Sequence, residues 1–274
     1  MEKPYVISAE LDLATADFER IVRPDKIDAF RESLDADLRA MGKETLWVPS
    51  STLSSGLEQA IKNTNVPVVS LDDRYIATAD HYVGISRGVD PQLNDAGYVA
   101  RRGYPSIMRQ LGRVRSLGSE VIFADDVLFS GEMISWIANV LNGYGVSVRA
   151  VLVGVAIAEG IEKLEAEGVD VSCGTVFDEV EDEICERDFA VVPGSGRRID
   201  AIDANALYFD TKNGKPETWA SISPELSNEF CVNSLRRSSA LLQAGVSIRA
   251  IGKFLGYNYE GTAADQINRR LEEI

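Results

Sequence analysis

The sequence predicts an α/β protein built on a doubly wound, mainly parallel sheet, with an N-terminal helical segment and a mostly helical C-terminal segment added to it. Three observations carry this prediction. Short apolar runs bounded by turn residues alternate with amphipathic runs from Thr45 to Phe177, the alternation expected of a sheet with helices on its faces. Val146 to Ile157 is too apolar for an exposed edge and belongs at the centre of such a sheet. Val121 to Ala124 is an apolar run too short for a helix, and it ends in two adjacent carboxylates and a small-residue turn. The chain accordingly divides into residues 1–43, an α/β core over 44–195, and an extension over 196–274.

Residues 1–43 read as mainly helical, because Ile27, Phe30, Leu34, Leu38 and Met41 recur at helical spacing after a Pro24-Asp25 start. Thr45 to Pro49 reads as a strand, Ser50 to Gly56 as a loop of small hydroxyl residues, Leu57 to Thr64 as a helix and Val66 to Leu71 as a second strand. That order is a βαβ unit with parallel neighbours. Ser54, Ser55 and Gly56 then offer hydroxyl and backbone donors at a strand's carboxyl end; equally, a Ser-rich stretch is an ordinary helix N-cap. Arg74 closes the second strand, where it either reaches an anion or pairs with Asp72 or Asp73. His81 to Gly88 alternates as a strand, and the lone His81 reads as structural. Residues 87–104 show no period and read as a long loop of the kind that forms lids. Its Arg87, Arg101 and Arg102 stand out in an acidic chain, suited to an anion or to a contact within a homodimer.

Ile107, Leu111, Val114 and Leu117 form a helical stripe closed by Gly118. Beyond the acidic run, Met133 to Leu141 is a helix, Gly160 to Gly168 another, and Val169 to Phe177 a strand. Residues 178–188 are mostly carboxylate and read as a solvated surface. Phe189 to Asp200 reads as a short strand and a Gly194-Ser195-Gly196 turn with Arg197 and Arg198. The extension carries Tyr208, Phe209 and Trp219, then a helical run broken near Gly245.

Composition narrows the function. The 274 residues are 45% hydrophobic with a net charge of −15, which argues against nucleic-acid and anionic-membrane partners. No run reaches about 18 continuous apolar residues, so no membrane span is expected. Cys173, Cys185 and Cys231 make neither a metal-ligand spacing nor a disulfide framework. No apolar signal core opens the chain, and a cytoplasmic location is expected.

The chemistry concentrates in Val121 to Met133. In an open α/β sheet, ligands bind beyond the carboxyl ends of the strands. There Asp125 and Asp126 can hold vicinal hydroxyls or a metal. The turn Ser130-Gly131, running into a helix N-terminus, offers backbone N–H groups to an anion. A ribose 5-phosphate has both groups. At these residues the chain resembles the type I phosphoribosyltransferases, whose signature is an apolar strand, two acidic residues and a small Ser/Thr-Gly loop. The resemblance implies an enzyme that binds phosphoribosyl pyrophosphate (PRPP) and moves its ribose 5-phosphate to a small nucleobase-like acceptor, releasing pyrophosphate. It implies that Asp125 and Asp126 contact the ribose hydroxyls with Mg²⁺ nearby, held indirectly. It also implies that Val127, Leu128, Phe129, Ser130, Gly131, Glu132 and Met133 enclose the 5-phosphate. Ser54 to Gly56, Arg74, Arg87, Arg101 and Arg102 would meet the pyrophosphate. The alternative is a member that binds PRPP or a nucleotide as a regulatory ligand without turnover.

Overall fold

The computed structural model describes residues 3–14, 22–242, 246–258 and 260–274; the side chains of Ser55 and Gly56 and the helix break near Gly245 lie outside the described set. In chain order, the elements begin with β1 (Tyr5–Ala9), α1 (Leu11–Ala14), α2 (Pro24–Ala40), β2 (Thr45–Pro49), α3 (Ser50–Lys62), β3 (Val68–Ser70) and β4 (His81–Tyr82). Next are β5 (Ile85–Val89), β6 (Asp95–Ala100), α4 (Ile107–Val114), β7 (Glu120–Leu128), α5 (Glu132–Gly143), β8 (Ser147–Ile157), α6 (Ala158–Ala166) and β9 (Asp170–Phe177). Then follow β10 (Asp182–Cys185), β11 (Arg197–Ile199), β12 (Ala204–Ala206), α7 (Pro216–Trp219), α8 (Pro224–Leu241), α9 (Ile248–Ile251) and α10 (Ala263–Glu272). They form two compact units of discontinuous segments, one of residues 1–47, 87–97 and 181–274, the other of 48–86 and 98–180.

The second unit is the doubly wound part. Its five strands lie in the order β4-β3-β7-β8-β9, and every neighbouring pair is parallel. The apolar runs account for this. Val69, Val121, Phe123, Val151 and Val153 pack with Leu111, Val114, Ile134, Ile137 and Leu141 of α4 and α5 in one core. Successive crossovers build first outward from β3 to β4, then return to β7 on the other side of β3. The strand order therefore reverses between β3 and β7, the position where open α/β sheets form a ligand crevice. On the sheet face carrying Gly154, α3 comes so close that a Cβ added there would sit 2.8 Å from the Leu53 Cα.

The first unit holds a three-stranded sheet, β10-β1-β2, and most of a four-stranded one, β12-β11-β5-β6. Tyr5, Ile7, Leu34, Leu38, Phe189, Phe230, Leu235 and Ile267 belong to its main core. The expected helical additions are present as α2 and as α8 and α10.

Six local expectations are corrected. Residues 1–43 also contain β1, since YVISA is five buried residues, enough for an inner strand and too few for a helix. Ser50 to Gly56 is not a loop but the first half of α3, because Leu53, Leu57 and Ile61 recur every four residues and bury as one stripe. Strand β2 pairs outside the sheet that holds β3, so no βαβ unit joins them. Residues 87–104 form most of the β5–β6 hairpin rather than a long loop; Asp90 closes its turn by accepting from the backbone N–H groups of Gln92 and Asn94. The carboxylate-rich 178–188 segment is not wholly solvated: Glu186 is 0% exposed. It accepts from the backbone N–H groups of Glu10 and Leu11 and from Arg31. Burial pushes its carboxyl up, and Arg31 opposes that shift. Phe189 to Val192, expected as a strand, is instead buried chain in which Phe189 ends a 3-10 turn that starts at Glu186.

Candidate functional site

The candidate site lies within the second unit, at the carboxyl ends of β3 and β7. Strand β7 continues past the apolar run through Asp125 and Asp126 to Leu128. Its register with β3 pairs Ser70 with Ala124, and the Leu71 N–H donates to the Ala124 carbonyl at 2.8 Å. Strand β3 ends at Ser70, and Asp72 lies in the turn that follows it, within electrostatic reach of Asp126.

Asp125 is 5% exposed and Asp72 1% exposed, whereas Asp126 is half-buried. Burial, then the charges of Asp126 and Asp72, push the Asp125 carboxyl well above the usual carboxylate range, with Arg101 opposing. Burial and Asp126 also raise Asp72. Its Oδ1 accepts from the backbone N–H groups of Arg74 and Tyr75, both at 2.7 Å. These bonds shape the turn after β3. Oδ2 is buried and has no hydrogen-bond partner among the described residues.

Arg101 faces this group. Arg101 is fixed by its Nε, which donates to the Ile85 carbonyl at 2.9 Å. Its terminal nitrogen stands 3.4 Å from Asp73 Oδ1 and 3.9 Å from Asp72 Oδ2. The Tyr104 hydroxyl donates to Asp73 Oδ2 at 2.9 Å, and burial with that bond pushes its pKa up to about 12.

Past β7, the turn comprises Phe129, Ser130 and Gly131; Glu132 and Met133 belong to α5. Gly131 takes φ +73°, a left-handed conformation that glycine enters without a Cβ penalty. The Glu132 side chain is exposed at the helix start, and its backbone N–H lies 3.5 Å from the Ser130 hydroxyl. The turn is packed tightly on α6, since a Cβ at Gly160 would stand 2.2 Å from the Phe129 carbonyl.

Asp125, Asp126 and Arg101 are thus brought to one site, with the Phe129–Gly131 turn next to the acidic pair in the chain. Arg74 lies at its edge, half-buried, in the turn that Asp72 shapes. Arg102 is exposed in the turn that follows Arg101, and Arg87 lies in β5 within the first unit. Ser54 to Gly56 sit in the body of α3, where backbone N–H groups bond within the helix and are not offered to an anion. Sequence reasoning gave Asp72 and Asp73 as partners for Arg74; both also lie within ion-pair distance of Arg101. The signal that could have found Asp72 was its place, two residues past a strand now seen to adjoin β7. The donors are carboxylate oxygens, the hard ligands that Mg²⁺ takes, and the orphaned Asp72 oxygen fits such an ion.

No protein-family model and no curated protein matches the chain. Solved structures similar to it include an orotate phosphoribosyltransferase from Aeropyrum pernix, at 20% identity over 46% of this chain and 68% of that one, with a TM-score of 0.29. An adenine phosphoribosyltransferase from Thermoanaerobacter pseudethanolicus matches at 12% identity over 44% of this chain and 76% of that one, with a TM-score of 0.30. The UMP synthase of Leishmania donovani matches at 13% identity over 43% of this chain and 25% of that one, with a TM-score of 0.27. Each likeness covers less than half of the chain. No helix among the described residues is long and apolar enough to cross a membrane.

Proposed function

We propose that the chain binds PRPP at the carboxyl edge of the five-stranded sheet and transfers its ribose 5-phosphate to a nucleobase-like acceptor. The observation that carries this reading is the placement of Asp125 and Asp126 at the strand-order reversal, directly before a tight turn and the N-terminus of α5. Carboxylates there accept the two ribose hydroxyls and hold the sugar. Backbone N–H groups at the start of α5 favour the 5-phosphate. Arg101 and Arg74 meet the charge that develops on departing pyrophosphate, and the acidic pair faces the positive charge that develops on the ribose. Orientation supplies much of the rate in such a transfer. Mg²⁺ held near Asp126 and Asp72 supplies neutralisation of the pyrophosphate charge.

The test is PRPP binding and pyrophosphate release with Mg²⁺ across a panel of nucleobases. Asp125→Asn with Asp126→Asn should fold and lose PRPP binding, since each charged hydrogen bond is worth about 1.5–3 kcal/mol. Wild-type affinity in the folded double variant refutes the assignment. A second reading, PRPP or a nucleotide as a regulatory ligand, is favoured by one feature: the turn after β7 has only three residues and is closed against Gly160. Binding without pyrophosphate release on any acceptor selects that reading.

A further inference from the structure

Arg197 opens β11 in the first unit and is 9% exposed. Its guanidinium carbon stands 4.8 Å from the ring centre of Trp219 and 5.5 Å from that of Tyr208. Aromatic faces attract a guanidinium, but they return less than burial of its charge takes. A buried cation is therefore normally paired with a carboxylate. Among the described residues Arg197 has no such ion pair, and its Nε is buried without a hydrogen bond. The next residue, Arg198, takes Asp200 and Asp203 at 3.1 and 3.2 Å. Asp188 is 8% exposed, and its Oδ1 accepts the Gly196 N–H at 2.7 Å.

A second cation lies abreast of the first. The parallel register sets Arg198 opposite Gly88, so Arg197 and Arg87, one residue earlier in each strand, project from the same side of the sheet. Both charges act on the Tyr208 hydroxyl, opposing burial and Asp188, which push it up to about 12. The same side carries Ile199, Val89 and Ala206, the last paired with Arg197. These three form an apolar cluster with Trp219, and Leu93, Tyr208 and Leu255 pack against it half-buried. We propose that Arg197 binds the carboxylate of a small organic acid, with Arg87 at the rim and this apolar cluster beside the body of the acid. A guanidinium fork matches a carboxylate through two parallel hydrogen bonds, and the two rings fix the plane of the fork. Two guanidiniums beside one carboxylate, Asp188, leave one positive charge over, which suits a monoanion better than a phosphate dianion. With 9% of Arg197 exposed, only a small head group reaches it. The inference is independent of the PRPP reading, because every residue it uses belongs to the first unit.

Benzoate serves as the probe, titrated into the full chain by calorimetry at low ionic strength without PRPP, with inorganic phosphate as a second arm. Wild type should bind benzoate at one site per chain and phosphate at least tenfold more weakly. Arg197→Lys, which keeps the charge but loses the fork, should weaken benzoate at least tenfold. The proposal is overturned by a wild type that binds no benzoate, by phosphate bound as tightly as benzoate, or by wild-type affinity in a folded Arg197→Lys. Should Arg197→Lys fail to fold by circular dichroism, the exposed Arg87 decides. Arg87→Gln should then weaken benzoate at least threefold, and an unchanged affinity overturns the proposal.

Discussion

Burial and the charges of Asp126 and Asp72 make the ionised form of Asp125 costly in the folded protein. A carboxyl whose folded pKa lies above its unfolded value is least harmful below the unfolded value, about 3.9 for Asp. Stability then falls as pH rises through the folded value. Asp125→Asn, neutral at every pH, should therefore melt higher than wild type at pH 7 in chelator. That advantage should shrink towards zero well below the unfolded value, where wild type is protonated in both states. Thermal melts across this range check it, and an advantage that grows on acidification contradicts the account. The site trades stability for ligand contact, as binding sites commonly do. Glu132 presents the opposite case. Exposed at the first position of α5, it complements the helix dipole. Glu132→Gln should leave PRPP affinity within twofold and lower stability by about 0.3–1 kcal/mol. Strongly weakened binding in a titration would instead make it a ligand residue.

The elements were legible where one signal dominated. Strands β7 and β8 follow apolar runs too continuous for an exposed surface, and α4 and α5 follow plain stripes. Legibility failed where two signals competed. In Ser50 to Gly56 the small hydroxyl residues spoke for a loop, but the four-residue stripe of Leu53, Leu57 and Ile61 won through burial. In 87–104 the Asp, Asn and Gly residues mark a hairpin turn and its flanks, while strands that alternate weakly leave little period to read. The acidic pair was readable because it ends a strand; Asp72 was not, because its neighbour β7 lies far along the chain. Close helix contact is similarly invisible in sequence, yet testable. Gly160→Ala puts a methyl where the Phe129 carbonyl stands at 2.2 Å, so the turn must shift. Overpacking of this kind costs about 1–3 kcal/mol. The variant should lose that much in denaturant unfolding and bind PRPP at least tenfold more weakly. A variant with wild-type affinity would separate the turn from the site.

At the scale of the whole molecule, the net charge of −15 acts on any ligand before contact. An anion approaching such a chain meets a repulsive field at distances beyond the site, and salt screens that field over about 10 Å at 0.1 M. Association of PRPP at saturating Mg²⁺ should therefore speed up as ionic strength rises from about 0.02 to 0.2 M, the reverse of the steering found for opposite charges. The rise should appear in the association rate, because dissociation depends on contacts at short range that salt screens little. Stopped-flow binding at fixed free Mg²⁺ measures both rates. Arg101 and Arg74 provide the counter-argument, since a local positive field at the mouth of the site makes salt slow the encounter. An association rate that falls with salt would show that these two arginines, and not the acidic surface, govern how the ligand arrives.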